Sequence, residues 1–195
     1  MRWFKILVGI VCVGVLIWLV RSRDGLDKLR MEEIGQFLPT GGDRNRDGSM
    51  YAAKEVGLVI VASSNDVNKV VDWIGDDSGR RLREIDYDNY LGVVFLGGLK
   101  PVVHDGVEIQ SVAYGEGELV VEVDNLHKRP GGAAALSSPY HVVMVERPVE
   151  WVDGQGVELV VWFDGKEVIR ERVVIEGYVL VKGRERFQDY WQLGG

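Results

Sequence analysis

Asp43, Asn45 and Asp47, with Gly48 behind them, set three oxygen-bearing side chains at alternate positions ahead of a glycine, the opening of a calcium loop. Alternate oxygens and a sharp turn are what a hard cation asks of a loop. Against that, the twelfth position, where an EF-hand places a bidentate Glu, is Lys54, and Glu55 comes one residue late. Arg44 and Arg46 also put positive charge among the ligands. The segment therefore reads first as a solvated loop, and calcium is the alternative and the one cofactor to consider.

The remaining chemistry-bearing residues form no motif. His104, His127 and His141 stand apart, with no H-x-x-x-H or H-E-x-x-H pairing for zinc, and read as surface or turn residues. Ser63-Ser64 and Ser137-Ser138 lack a nucleophile elbow. Gly97-Gly98-Leu99-Lys100 and Gly131-Gly132 match neither a P-loop nor a dinucleotide fingerprint. No catalytic residue is assigned and the chain reads as a non-enzyme. Aromatic residues offer a second kind of chemistry, because six Trp are present. Trp151, Trp162, Trp73 and Trp191 suit either a sugar platform or a protein contact, with core packing as the plainer role. Trp162 falls out of phase with Val161 and Phe163, so it is expected on an outer face; Trp151 and Trp162 are taken as the candidate binding surface.

A net charge of −7 argues against a nucleic-acid partner, which requires a basic footprint. The single cysteine, Cys12, lies in an apolar run, leaving the rest of the chain without an internal disulfide or a thiolate metal site. That run, residues 6–20, holds fifteen residues without a charge. Counting Trp3 and Phe4, with Lys5 snorkelling, it approaches the ~20 residues that a helix needs to cross hydrocarbon. No small-residue cleavage pattern precedes Arg21, so residues 1–23 are expected to be an uncleaved single-pass anchor rather than a signal peptide. Arg2 and Lys5 before it are outnumbered by Arg21, Arg23, Lys28 and Arg30 after it, a count that by itself leans toward a cytoplasmic domain.

Downstream, residues 24–49 are expected to be an amphipathic helix and a polar linker. Leu26, Leu29, Ile34, Phe37 and Leu38 recur near one helical face before Pro39, and a Gly-rich loop follows. Residues 50–195 are expected to form one β-rich domain. A strand over residues 57–63 leads to a short helix over residues 65–74, started by Ser64 or Asn65. Strands are then expected over residues 90–96, 107–114, 118–124, 139–145, 157–163, 167–175 and 178–182. Leu119, Val121 and Val123 alternate with Glu122 and Asp124, the period of a half-buried strand. Gly115-Glu116-Gly117, Asp164-Gly165 and Glu176-Gly177 read as hairpin turns. The expected class is mainly β (α+β): an antiparallel sheet or sandwich of seven to eight strands with one or two N-terminal helices.

Residues 91–148 contain GVVFLGGLKP, VEIQSVAYGEGELVVEVDNLHKRPGG and SSPYHVVMVERP in succession. Gly98 with Pro101, then Ile109, Leu119, Val121, Val123, Pro130-Gly131 and residues 138–143 carry a likeness. This portion resembles the C-terminal domain of the PrcB-like protease-complex stability family. It departs at Val102-Val103-His104, where that family more often has a Thr-Gly-Gly-Tyr-like turn. The resemblance implies an exported, non-enzymatic accessory domain and so favours placement outside the cytoplasmic membrane. The expectation is a membrane-anchored accessory domain that binds or stabilises a protein partner in the cell envelope, a protease among the candidates. The alternative is a carbohydrate-binding module built on exposed Trp side chains.

Overall fold

In the computed structural model, residues 26–37, 55–98, 105–127, 138–152 and 154–182 are described. Ten strands make two five-stranded sheets. The strands are β1 (Asp27–Lys28), β2 (Met31–Phe37), β3 (Val56–Val61), β4 (Tyr90–Gly97), β5 (Asp105–Gly115), β6 (Glu118–His127), β7 (Tyr140–Glu146), β8 (Gly156–Phe163), β9 (Lys166–Val174) and β10 (Tyr178–Lys182). One sheet runs β1-β5-β6-β8-β9 and the other β10-β3-β4-β7-β2. All pairings are antiparallel except β6 with β8, where Glu118 sits beside Glu158 and Val123 beside Phe163.

The eight strands expected from the sequence all form. The other two, β1 and β2, come from the segment expected to be a helix. That expectation fails because β2 carries a register shift between Glu33 and Gly35. Leu29 and Met31 pack between the sheets and Ile34 on the opposite face, as alternation requires, but beyond the shift Phe37 lies opposite Tyr140 of that same outer cluster, three residues from Ile34. A strand that changes phase at a bulge imitates helical spacing. Residues 27–37 are thus part of the sandwich and not a stalk ahead of it; the boundary expected near residue 49 lies outside the described residues. The anchor expected at residues 1–23 lies outside the described residues, among which no helix is long and apolar enough to cross a membrane.

Both corners of the sandwich are turned by continuous chain. Leu29 N–H still donates to Val112 O of the first sheet, while Arg30 O already accepts from Glu146 N–H of the second. On the other side, Glu176-Gly177 carries the chain from β9 to β10, and Gly177 O accepts from Ala62 N–H. This turn was expected to close a hairpin; instead it joins the two sheets. The hairpins at residues 115–117 and 164–165 do form, with Glu116, Gly117, Asp164 and Gly165 all at positive φ, as tight turns between twisted strands require.

Burial explains the apolar runs. Leu58, Ile60, Leu91, Val93, Phe95, Val143 and Val145 face the first sheet across a core that includes Leu119, Val121, Val123, Leu159, Val161 and Phe163. The other side of the second sheet is covered as well. Val59, Val61, Val94, Leu96, Tyr140 and Val142 meet Val67, Val70, Ile74 and Leu82. Those come from two 3-10 turns, Ser64–Lys69 and Val71–Trp73, with Val70 and Ile74 closing them, and from helix α1 (Asp76–Arg83). Strands β3, β4 and β7 are therefore apolar on both faces, while β6 alternates. The helical layer lies between β3 and β4 in sequence, not at the N-terminus. Its first part is 3-10 rather than α-helical and is capped by Ser63, whose side chain accepts from Asn65 N–H. The polar α1 docks through Gly75 N–H, which donates to Tyr140 Oη at 2.9 Å. Arg81 donates to the carbonyls of Ile34 and Glu33.

Gly98 follows β4 at φ +69°, and a Cβ there would stand 3.0 Å from the backbone N of Val56. Left-handed backbone costs an L-residue roughly 1–2 kcal/mol, and backbone cannot step aside as a side-chain tip can. Gly98→Ala is expected to lower stability by about 2 kcal/mol, read from urea midpoints; a change below ~0.5 kcal/mol would contradict this turn.

Candidate functional site

With one sheet covered on both faces, the outer face of the other is, among the described residues, the broad surface left open. Because Leu119, Val121, Val123, Leu159 and Val161 point into the core, their neighbours on β6 and β8 point out. Registers then place Glu118 beside Glu158, Val120 beside Val160 and Glu122 beside Trp162. On the next strand, Arg172 lies opposite Glu158, Arg170 opposite Val160 and Glu167 opposite Trp162. Trp162 is half-buried in the row Glu122-Trp162-Glu167, the outward position its phase implied.

Arg170 organises one half of this face. Its Nη1 donates to Glu158 at 2.8 Å and to Glu118 at 3.1 Å, and its Nε and Nη2 donate to the two oxygens of Glu167 at 3.1 and 2.9 Å. These bonds, those to Glu167 and Glu158 foremost, raise the guanidinium pKa further above its already high value. Solvent screening makes such surface pairs individually weak. Their structural effect is to hold the Arg170 stem across Val160, which is 1% exposed, as long cationic side chains cover apolar surface. Nothing in the sequence separates this cluster from other charges, since its four members sit on three strands and meet only once β6 and β8 pair in parallel.

The other half is acidic. Glu108 lies opposite Asp124, and Ser111 opposite Glu122. Ser111 Oγ donates to Glu122 at 2.8 Å, and Asp164 accepts from Asn125 N–H at 2.8 Å. Partial burial raises the Asp124 pKa, and the charges of Asp164, Glu122 and Glu108 add to the rise. Among the described residues, no group of three or more His, Cys, Asp or Glu is placed to hold a metal ion. The residues Asp43, Asn45 and Asp47 of the calcium-type loop lie outside the described residues, as do His104 and Trp191.

Trp151 is not part of this face. It is 8% exposed and packs on Tyr114, centroids 5.7 Å apart, which corrects the expectation that it shares a binding surface with Trp162. The reason is that residues 147–152, which follow β7, tuck the indole against the end of the core. Its Nε1 is buried with no hydrogen-bond partner. The ring also borders an open cleft of about 500 Å³, with Asp88, Asn89, Tyr90, Glu146, Arg147 and Val149 around it. The Arg147 N–H bonds the Asn89 carbonyl, and its Nη1 donates to Tyr87 O at 2.9 Å. Trp73 packs within the helical layer.

His141 departs from the surface role expected of it. It is 3% exposed on β7, and its Nδ1 accepts from Ile109 N–H at 2.8 Å. Beside it, Gln36 Nε2 donates to Val107 O at 2.9 Å. Two side chains of the second sheet thus satisfy backbone groups of β5 that β6 does not reach. Burial lowers the His141 pKa, against the opposing pull of Glu33 and Glu108.

The fold and face define a two-sheet β-sandwich with a helical layer on one side and a mixed charged and apolar face on the other. No protein-family profile, curated protein or solved structure matches the chain.

Proposed function

We propose that this is a membrane-tethered, non-enzymatic accessory domain that binds a protein partner in the cell envelope through the outer face of β5-β6-β8-β9. A partner of protease type follows from the PrcB-like resemblance alone. The observation that carries the reading is the setting of Trp162. It is the one aromatic on that face among the described residues, flanked by Glu122 and Glu167 and by the apolar Val120–Val160 row under Arg170. A single half-buried indole within mixed charge is the anatomy of a protein contact, in which Trp and Arg anchors dominate the energy. Sugar recognition calls for a row of exposed rings, and Trp151, the second candidate ring, faces the core.

A photo-crosslinker at Glu122 in the full-length chain, activated in native membranes, is expected to capture a discrete protein. Trp162→Ala should weaken that capture by about thirtyfold, the size of a ~2 kcal/mol anchor. Asp72→Ala, in the helical layer on the far side of the second sheet, should leave it unchanged. Glycan binding that depends on Trp162, or capture indifferent to Trp162→Ala, would remove this proposal.

A further inference from the structure

We propose that one end of the sandwich, the end bearing Val149, Val152 and Val174, rests on a zwitterionic lipid surface. The inference depends on the tether proposed above and adds which way the domain stands on it.

The topology singles out that end. Asp27 pairs with Tyr114 at the close of β5, so the chain enters the fold beside the 115–117 turn. Glu158 N–H bonds Gly117 O, Gly156 pairs with Val174, and Tyr178 pairs with Val61. Residues 147–152 after β7, residues 154–155 before β8 and the 175–177 turn therefore lie at this same end. A Cβ on Gly154 would meet Glu176 Oε1 at 3.5 Å, bringing loop and turn together.

Among the described residues, the large apolar side chains left exposed are Val149, fully exposed, Val152 at 65% and Val174 at 51%, and all three belong to this end. A scattered surface valine needs no explanation. Three confined to the end where the chain enters do.

Chain length supplies the distance. Only residues 21–25 separate the uncharged run 6–20 from Leu26, a span of roughly 20 Å at full extension. Strand β8, with eight residues, is about 26 Å long, so the 164–165 turn at its far end stands that much farther from the entry point. An anchored segment 6–20 keeps the valine-bearing end within reach of the lipid headgroups. Apolar tips then lie at the interface, and exposed Asp88, Glu116, Glu150 and Glu176 ring them. Exposed Lys28 and Arg30 stand at the same end, so charges of both signs face the headgroups, which suits the paired ammonium and phosphate of zwitterionic lipids. In this stance the Trp162 face stands off the membrane plane, open to a partner.

The test uses the full-length chain with Cys12→Ser, carrying a polarity-sensitive fluorophore on a single Cys in place of Val149, Val152 or Asp164. The protein is reconstituted in phosphatidylcholine vesicles containing a headgroup-quencher lipid. Flotation with the vesicles reports the tether. Quenching at Val149→Cys and Val152→Cys is expected to exceed that at Asp164→Cys by about threefold or more, without increase when anionic lipid is added. Flotation with equal quenching at all three positions overturns the orientation and leaves the tether standing. Failure to float overturns both. Quenching that grows with anionic lipid overturns the zwitterionic assignment.

Discussion

Phe95→Ala is expected to destabilise the domain by about 3–5 kcal/mol. Phe95 is fully buried in β4, and its ring stacks on Phe163 of the facing sheet with centroids 5.8 Å apart and an interplanar angle of 18°. Removing it takes away the largest fully buried side chain of the described core and leaves a void between two sheets. Backbone ladders on both sides hinder their collapse into it. Small domains have total stabilities of about 5–15 kcal/mol, so a loss of this size removes a large share of the folded population. The only cysteine is Cys12, and no disulfide supplements packing. Urea unfolding gives the result directly. A loss under ~1.5 kcal/mol would mean that the sheets do not meet at this pair.

Replacing His141 is expected to change how stability depends on pH. With Nδ1 accepting from Ile109 N–H, the ring is the neutral tautomer with its proton on Nε2. Protonating Nδ1 would abolish the acceptor and place a charge between the sheets. Burial holds the folded pKa below the usual value, whereas the unfolded chain titrates near ~6.5. The stabilisation from neutral His141 is therefore complete above about pH 6.5. It declines as the pH falls toward the folded pKa, by up to ~1.4 kcal/mol per pH unit. Glu33 and Glu108, whose charges favour the imidazolium, moderate the loss without reversing its sign. His141→Gln can still accept from Ile109 N–H through its amide oxygen and does not titrate. Parent minus variant stability should accordingly fall on acidification over this window, measured by urea melts at several pH values. Parallel acid limbs would refute the buried neutral histidine.

Much of the sandwich is legible in the sequence because its turns are marked by Gly and its strands by valine-rich runs. Three kinds of feature are not. Bulges defeat periodicity: the shift between Glu33 and Gly35 in β2 turned an alternating strand into an apparent helix. Composition hides α1, whose eight residues include one large apolar side chain, Leu82; tertiary bonds through Tyr140, Ile34 and Glu33 hold it. Register decides the site. The outward position of Trp162 follows from its phase within β8, but Trp151 lies in a loop that has no phase, so its inward packing could not be read. The Arg170 cluster depends on a parallel pairing between strands that are not consecutive, and local spacing carries no trace of that.

The corner-turning strands bear on how any partner must read this domain. An open sheet edge offers a row of unpaired amides and carbonyls that another chain can extend. Here β1 leads into β2 and β9 into β10, so the chain itself turns from one sheet to the other at both margins. Beyond the two residues of β1, the margin of β5 has the Val107 carbonyl and the Ile109 amide already engaged by Gln36 and His141. Recognition by main-chain ladder is thereby discouraged along β5, whereas β9, β2 and β10 each have a strand partner on one side only among the described residues.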